Sequence, residues 1–144
     1  MQTQNYKNHR QYVPIYHGVL LLIIMAVLAG SVWNFYRAYN NGTGRLTAGL
    51  IFGLSIVSIF FFIYTRLFAL KAQDRAIRAE ENLRHLSLTG KQLDNRLRLG
   101  QIIALRFASD AEFVTLAQRA VDENMRADDI KKAIQNWRAD HCRV

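Results

Sequence analysis

Two stretches of the sequence, residues 18–36 and 46–65, contain no charged side chain. As α-helices rising about 1.5 Å per residue, each would match the ~30 Å hydrocarbon core of a bilayer. Only the nine residues from Arg37 to Arg45 separate them. The sequence therefore predicts a transmembrane helical hairpin, with spans at about 18–36 and 46–68, that follows an amino-terminal tail of residues 1–17.

The charged residues are distributed unevenly along the chain. All 11 acidic residues lie at Asp74 or beyond, and from Ala69 onward 14 basic residues stand against those 11. The formal net charge of +8 is thus largely contributed by residues that flank the spans. This distribution is typical of a membrane protein and does not indicate a nucleic-acid-binding surface.

The positions of the basic residues predict the topology of the hairpin. Lysine and arginine are enriched in cytoplasmic segments of membrane proteins. They occur here in the amino-terminal tail and after the second span, as Lys7, Arg10, Arg66, Lys71, Arg75, Arg78 and Arg84. We therefore expect a multi-pass protein of the bacterial inner (cytoplasmic) membrane with both termini in the cytoplasm. The single cysteine, Cys142, fits a reducing compartment.

A cleaved signal peptide is the competing interpretation of the first span. The polar leader is long, the apolar run exceeds a usual signal-peptide core, and a second span follows almost at once. These features favour a retained transmembrane helix.

Aromatic residues bracket the predicted spans. Tyrosine and tryptophan are enriched at both membrane–water interfaces. Tyr12 and Tyr16 would lie at the inner interface, together with Arg66. The outer interface would be marked by Trp33, Tyr36 and Tyr39.

Small residues four positions apart occur in both spans. They are Ala26 and Gly30 in the first span, and Gly49 and Gly53 in the second. This spacing lets two helix backbones approach closely in lipid. The sequence leaves open whether these residues pack within the hairpin or between two copies of the chain.

Beyond the second span the helix is predicted to continue as a stalk until Gly90. An apolar stripe at helical spacing suits packing against another helix; it consists of Phe68, Ala72, Ala76, Ala79, Leu83 and Leu86. The polar sides offer i,i+4 pairs, among them Glu80 with Arg84. Lys71, Arg75, Arg78 and Arg84 are the residues expected to contact lipid headgroups or a protein partner.

Three short helices are predicted after the stalk. They cover residues 99–108, residues from the Ser109–Glu112 capping box to Val121, and residues 128–139. The predicted fold class is thus all-α: a transmembrane hairpin (18–68), followed by a cytoplasmic stalk and a small three-helix unit (69–144). About 50 residues make a small core, so this unit is expected to lean on the stalk or on a partner.

No catalytic, cofactor or metal site is predicted. A haem ligated by His17 would need an opposed ligand, which the second span does not offer. His141 and Cys142 supply two ligands of a metal set that needs four. The last two helices can be drawn as a helix-turn-helix, but Asp122, Glu123, Asp128 and Asp129 weaken the field that phosphate binding requires.

Several stretches resemble a family of small two-span bacterial membrane proteins that is grouped as a domain of unknown function. They are residues 4–9, 12–17, 68–84, 101–110 and 136–140, and the run from Phe68 to Arg84 is the longest. The chain departs from the family pattern at Arg126–Ala127, where a Ser-Pro helix start would be expected. The resemblance implies a hairpin with a cytoplasmic helical tail, and it implies no activity.

These features favour a non-enzymatic membrane protein. We expect an interaction, scaffold or accessory subunit of a membrane complex, whose partners are the lipid bilayer and either another protein or a second copy. The alternative is a membrane-tethered regulator that binds anionic lipid or nucleic acid through basic helices. No small-molecule substrate and no cofactor is indicated by the sequence.

Overall fold

The computed structural model describes residues 5–6 and 13–140. This part of the chain is all-helical, as predicted. A π-helical segment, Ile15–Leu20, leads into the first of five α-helices. These are α1 (Leu21–Asn41), α2 (Arg45–Thr89), α3 (Leu99–Leu105), α4 (Asp110–Asp122) and α5 (Ala127–Ala133).

The chain divides into two compact units. The hairpin unit covers Tyr12–Phe68, and the terminal unit covers Ala69–Val144 together with Met1–Gln11. Two helical stretches, Ile15–Asn41 and Arg45–Thr89, are long and apolar enough to cross a membrane.

In the hairpin unit, a glycine turn reverses the chain between α1 and α2. Gly42 has φ of +74° and donates its backbone N–H to the carbonyl oxygen of Ala38 at 3.2 Å. Gly44 also has a positive φ, +68°. Residues with a side chain rarely adopt this left-handed conformation, so the two glycines set the turn.

The two helices of the hairpin unit contact each other in antiparallel order. The rings of Phe35 and Phe52 stack with centroids 5.7 Å apart, near the turn. About one turn away, the hydroxyls of Ser31 and Ser55 lie 3.0 Å apart, and both residues are buried. At the far end of the hairpin, Tyr16 stacks on Phe62 at 4.4 Å.

Helix α2 runs without a break from Arg45 to Thr89. No proline and no glycine interrupts it after Gly53. Gly90 ends the helix with φ of +73° and donates its N–H to the carbonyl oxygen of Leu86 at 2.8 Å. The predicted continuation and the predicted stop at Gly90 are therefore confirmed. We call residues 69–89 of α2 the stalk.

Helices α3, α4 and α5 form a three-helix cluster around one apolar core in the terminal unit. Its largest fully buried side chains are Phe107, Phe113, Leu105 and Ile130. Gln101 is a buried polar member: its side-chain amide nitrogen donates to the carbonyl oxygen of Met125 at 2.8 Å, and its side-chain oxygen accepts the Arg98 N–H at 2.7 Å.

Two of the predicted helices in this cluster are too long. Helix α3 ends at Leu105 and not at Ala108, and α5 ends at Ala133 and not at Ala139. The residues that follow each helix pair with each other. The Arg138 N–H donates to Phe107 at 2.8 Å, and the Ser109 N–H donates to Asn136 at 3.1 Å. Inside a helix over residues 128–139 the Arg138 N–H would donate to that helix, so its bond to Phe107 requires α5 to end early.

Candidate functional site

The open end of the hairpin unit carries a tyrosine and an arginine in contact. The Tyr16 hydroxyl donates to the carbonyl oxygen of Phe62, and the Arg66 guanidinium lies 5.8 Å from the Tyr16 ring centroid. A guanidinium at this distance is attracted by the negative face of the ring. The structure thus brings together two predicted interface residues, Tyr16 and Arg66. Tyr12 lies outside the described residues.

The turn end of the hairpin unit also combines aromatic side chains with an arginine. Trp33, Tyr36 and Tyr39 are all exposed, and the rings of Trp33 and Tyr36 are 6.4 Å apart. Arg45 lies 5.3 Å from the Tyr39 ring centroid and donates from Nη2 to the Tyr39 carbonyl oxygen at 3.0 Å. Aromatic rings and an arginine therefore lie at both ends of the apolar stretch, which is the distribution of interfacial anchors in membrane proteins.

The four predicted helix-packing residues have different surroundings. A Cβ added at Gly49 would meet the Phe35 ring at 3.6 Å, so Gly49 allows α1 and α2 to approach. A Cβ added at Gly30 or Gly53 would meet nothing within 4 Å, and Ala26 is exposed. Gly49 is thus the one glycine of the three at which an added Cβ would contact the opposite helix.

Sequence reasoning missed the residues that fill the contact between the two helices. Ser31, Ser55 and Ala48 are the buried residues of the hairpin unit. The Ser31 and Ser55 hydroxyls also donate to the carbonyl oxygens of Leu28 and Phe52, at 2.8 and 2.7 Å. Small size and a hydroxyl that can bond its own helix are the signals that mark such positions.

Three of the four predicted contact residues on the stalk are accessible, and the fourth is not. Lys71, Arg75 and Arg78 are exposed, whereas the Arg84 side chain is only 10% exposed. Arg84 bonds Glu81 at 3.0 Å and Asp110 at 2.6 Å.

Arg84 has two further partners in the cluster. It donates to the Ala108 carbonyl oxygen at 2.7 Å and lies 4.2 Å from the Phe113 ring centroid. Both expectations for this residue differ from the structure: Arg84 pairs with Glu81 and not with Glu80, and it joins the stalk to the three-helix cluster. The reason is non-local, because Asp110, Ala108 and Phe113 are distant in sequence.

The apolar stripe of the stalk is uncovered. Ala72, Ala76, Ala79, Leu83 and Leu86 are all exposed, and Leu83 is 64% exposed. The buried stalk residues, Ile77 and Glu81, lie on the opposite side of the helix, as does Arg84, which bonds Asp110 of the three-helix cluster. The described residues therefore leave this stripe available to another helix.

Glu112 connects three segments of the three-helix cluster. Its carboxylate accepts the backbone N–H groups of Gln135, Asn136 and Ser109 at 3.1, 3.0 and 3.4 Å. The last of these bonds belongs to the predicted capping box of α4. Burial alone would raise the pKa of Glu112, but these hydrogen bonds and one from the Ser109 hydroxyl lower it below its usual value.

We expect Glu112 to make the stability of the cluster dependent on pH. The pKa of Glu112 is lower in the folded chain than in the unfolded chain. The ionised carboxylate therefore contributes its full share of the folding stability above the unfolded-state pKa, and this share is lost as the pH falls through the folded-state pKa. Glu112→Gln should cost about 1–2 kcal/mol at neutral pH. It should also flatten the loss of stability on acidification, measured by denaturation at several pH values. An unchanged pH profile in the variant would contradict this role.

A second carboxylate with a lowered pKa, that of Asp94, is bonded by a residue two positions further along the chain. The Arg96 side chain and backbone N–H bond the Asp94 carboxylate and lower the pKa of Asp94 to about 2. The same contact raises the pKa of Arg96. A further exposed pair, Arg119 with Glu123 at 2.9 Å, raises the pKa of Arg119. Both pairs are solvated, so neither forms part of a site.

Two alternatives from the sequence can be placed on the structure. Helix α5 has only seven residues, and Gln135, Asn136 and Arg138 follow it in non-helical backbone. The second helix of the helix-turn-helix alternative is therefore shorter than predicted and does not carry these three residues. Among the described residues no group of three or more His, Cys, Asp or Glu side chains could hold a metal ion. His141 and Cys142 lie outside the described residues.

The described residues define an all-helical protein with an apolar hairpin unit and a small helical terminal unit. The chain belongs to a family of unknown function, DUF6526, whose model matches residues 1–144. The resemblance of the sequence to a family of unknown function is thereby confirmed. No curated protein and no solved structure matches this chain.

Proposed function

We propose that this protein is a non-enzymatic integral membrane protein that presents a helical interaction surface on the cytoplasmic side. The hairpin unit is the anchor, and the stalk with the three-helix cluster is the part that meets partners. One observation carries the proposal. At each end of the hairpin unit aromatic rings lie beside an arginine, and the apolar side chains between the two ends are exposed.

The exposure of the hairpin unit supports a lipid environment. Leu22 and Phe61 are each 70% exposed, and most neighbouring apolar side chains of α1 and α2 are exposed as well. A continuous apolar surface of this kind is unfavourable in water. The helical rise from Tyr16 to Tyr36 is about 30 Å, which matches the hydrocarbon thickness. Lipid chains are the solvent that suits this surface.

The ends of the chain support a hairpin topology with both termini on one side. Lys132 Nζ lies 5.8 Å from the Tyr6 ring centroid, so residues near the two termini belong to the same terminal unit. The enrichment of lysine and arginine in the tail and after the second span supports a cytoplasmic location of that side.

Membrane insertion and topology have a direct test. In native membranes the protein should stay in the pellet after alkaline carbonate and high salt, and detergent should release it. In intact cells an impermeant maleimide should label Thr43→Cys in a Cys142→Ser background. It should label native Cys142 only after permeabilisation. Release by carbonate, or labelling of Cys142 in intact cells, would overturn the proposal.

The interaction role is tested by affinity purification in mild detergent followed by mass spectrometry. We expect a stoichiometric partner or a second copy to be recovered with the chain. Charge reversal of Lys71 and Arg78, both exposed on the stalk, should reduce recovery of a partner that binds there. Reversal of Arg119, which is exposed on α4, is the matched control. A chain that always purifies as a lone monomer contradicts the role.

A second candidate function is a regulator that binds anionic lipid, because Lys71, Arg75 and Arg78 are exposed on the stalk. Each basic residue near an anionic surface contributes about 1 kcal/mol. In nanodiscs, anionic lipid should protect these sites from trypsin, and high salt should remove the protection. Equal cleavage in neutral and anionic nanodiscs would exclude this alternative.

A further inference from the structure

The exposed stripe of the stalk has the spacing of a coiled coil. Its residues follow one another at steps of four, three, four and three, from Ala72 through Ala76, Ala79 and Leu83 to Leu86. A 3.5-residue repeat of apolar side chains is the pattern of the a and d positions in supercoiled helices. Ala76 and Leu83 occupy a positions, and Ala72, Ala79 and Leu86 occupy d positions.

The rest of the stalk is arranged as such a coil requires. The stalk residues that contact the three-helix cluster are Arg84 at b and His85 at c, and the buried residues Ile77 and Glu81 are at b and f. The His85 ring lies 6.0 Å from the Phe113 ring, and Arg84 bonds Asp110. Positions b, c and f point away from the axis of a coiled coil. The cluster therefore contacts the outer face of the stalk near Arg84 and His85 and leaves the a and d face open.

Opposite charges flank the stripe at the two positions that pair between helices. Arg75 is at position g and Glu80 is at the following e position, and both are exposed. Residues five apart do not face each other on one helix. No ion pair of Arg75 or Glu80 occurs within the described residues. In a parallel two-stranded coil, by contrast, a g residue meets the following e residue of the other strand.

We propose that the stripe packs against the same stripe of a second copy, as a parallel two-stranded coiled coil with Arg75 of each copy paired to Glu80 of the other. The parallel orientation rests on the proposed membrane insertion, because copies inserted with one topology have stalks that point the same way. In an antiparallel pair, g positions meet g positions and e positions meet e positions, so Arg75 of one copy could not pair with Glu80 of the other. The charges therefore favour the orientation that a membrane imposes.

Cysteine crosslinking tests the contact in the full chain. In a Cys142→Ser background, Ala79→Cys should give a disulfide-linked dimer when native membranes are treated with an oxidant. Arg78→Cys, one residue earlier on the exposed outer side, is the matched control and should remain monomeric. Both side chains are exposed, so neither change disturbs the core. Equal crosslinking at the two positions would overturn the proposal.

Charge exchange tests the register and the orientation. Arg75→Glu or Glu80→Arg alone should weaken dimerisation of the Ala79→Cys protein about tenfold, because two attractive pairs in each dimer become repulsive. The double exchange should restore it. Absence of rescue, or crosslinking only to a different protein, contradicts the proposed partner.

The two proposals fail in different ways. If carbonate does not release the protein but the Ala79→Cys variant forms no crosslinked dimer, the coiled-coil proposal is overturned and the proposed membrane anchor is retained. If carbonate releases the protein, the membrane anchor is overturned. The Ala79→Cys crosslink, measured on the released protein, would still test whether the stripes of two copies contact each other.

Discussion

Replacement of Phe113 by alanine is expected to unfold the three-helix cluster. Phe113 is fully buried, and its ring contacts the guanidinium of Arg84 and the ring of His85. Removal of a buried phenylalanine costs about 3–5 kcal/mol. That is as much as the whole stability expected of so small a core. The variant should therefore lose the cooperative transition of the cluster and keep the helix content of the hairpin unit.

The transition can be followed by tryptophan fluorescence in detergent. Trp137 lies 5.1 Å from Phe107 and reports on the cluster, and Trp33→Phe removes the signal of the hairpin unit. Phe61→Ala is the matched control because that ring is 70% exposed on α2. Its transition should be shifted by no more than about 0.5 kcal/mol. A normal transition in Phe113→Ala would contradict the position of this ring in the core.

Replacement of Arg84 by methionine is expected to cost about 3 kcal/mol of cluster stability. The change removes the ion pairs with Glu81 and Asp110 and leaves the Glu81 carboxylate buried without its partner. An uncompensated buried charge is the larger part of that cost. Denaturation of the full chain, followed by Trp137 fluorescence, measures the loss.

Two further variants separate this effect from a general loss of charge. Arg78→Met removes an exposed arginine of the same stalk and should be nearly neutral. Glu81→Leu combined with Arg84→Met should be more stable than Arg84→Met alone, because the buried carboxylate is then absent. Equal effects of Arg78→Met and Arg84→Met would show that Arg84 does not join the stalk to the cluster.

The features predicted correctly from the sequence depend on local composition. Uncharged runs predict the apolar parts of α1 and α2, and the short segment between these runs predicts that the chain reverses there. The absence of glycine and proline after Gly53 predicts that α2 continues, and Gly90 predicts where it ends. Each of these signals acts within a few residues, so a single sequence contains it.

The features that were missed depend on contacts between distant residues. Helix α5 stops at Ala133 because Glu112 accepts the N–H groups of Gln135 and Asn136. Arg84 lies inside the cluster because Asp110 and Phe113 surround it. Periodicity predicted a helix for residues 128–139 and a solvated pair for Arg84. Tertiary hydrogen bonds overrode both local preferences, as is common for short helices.

The contact of Tyr6 with Lys132 has a consequence for the order of assembly in the cell. The ribosome adds about 5–20 residues per second, so roughly 6–25 s separate the synthesis of these two residues. During that interval the contact between Tyr6 and Lys132 cannot form. Tyr6 therefore completes its packing in the terminal unit only after translation of α5.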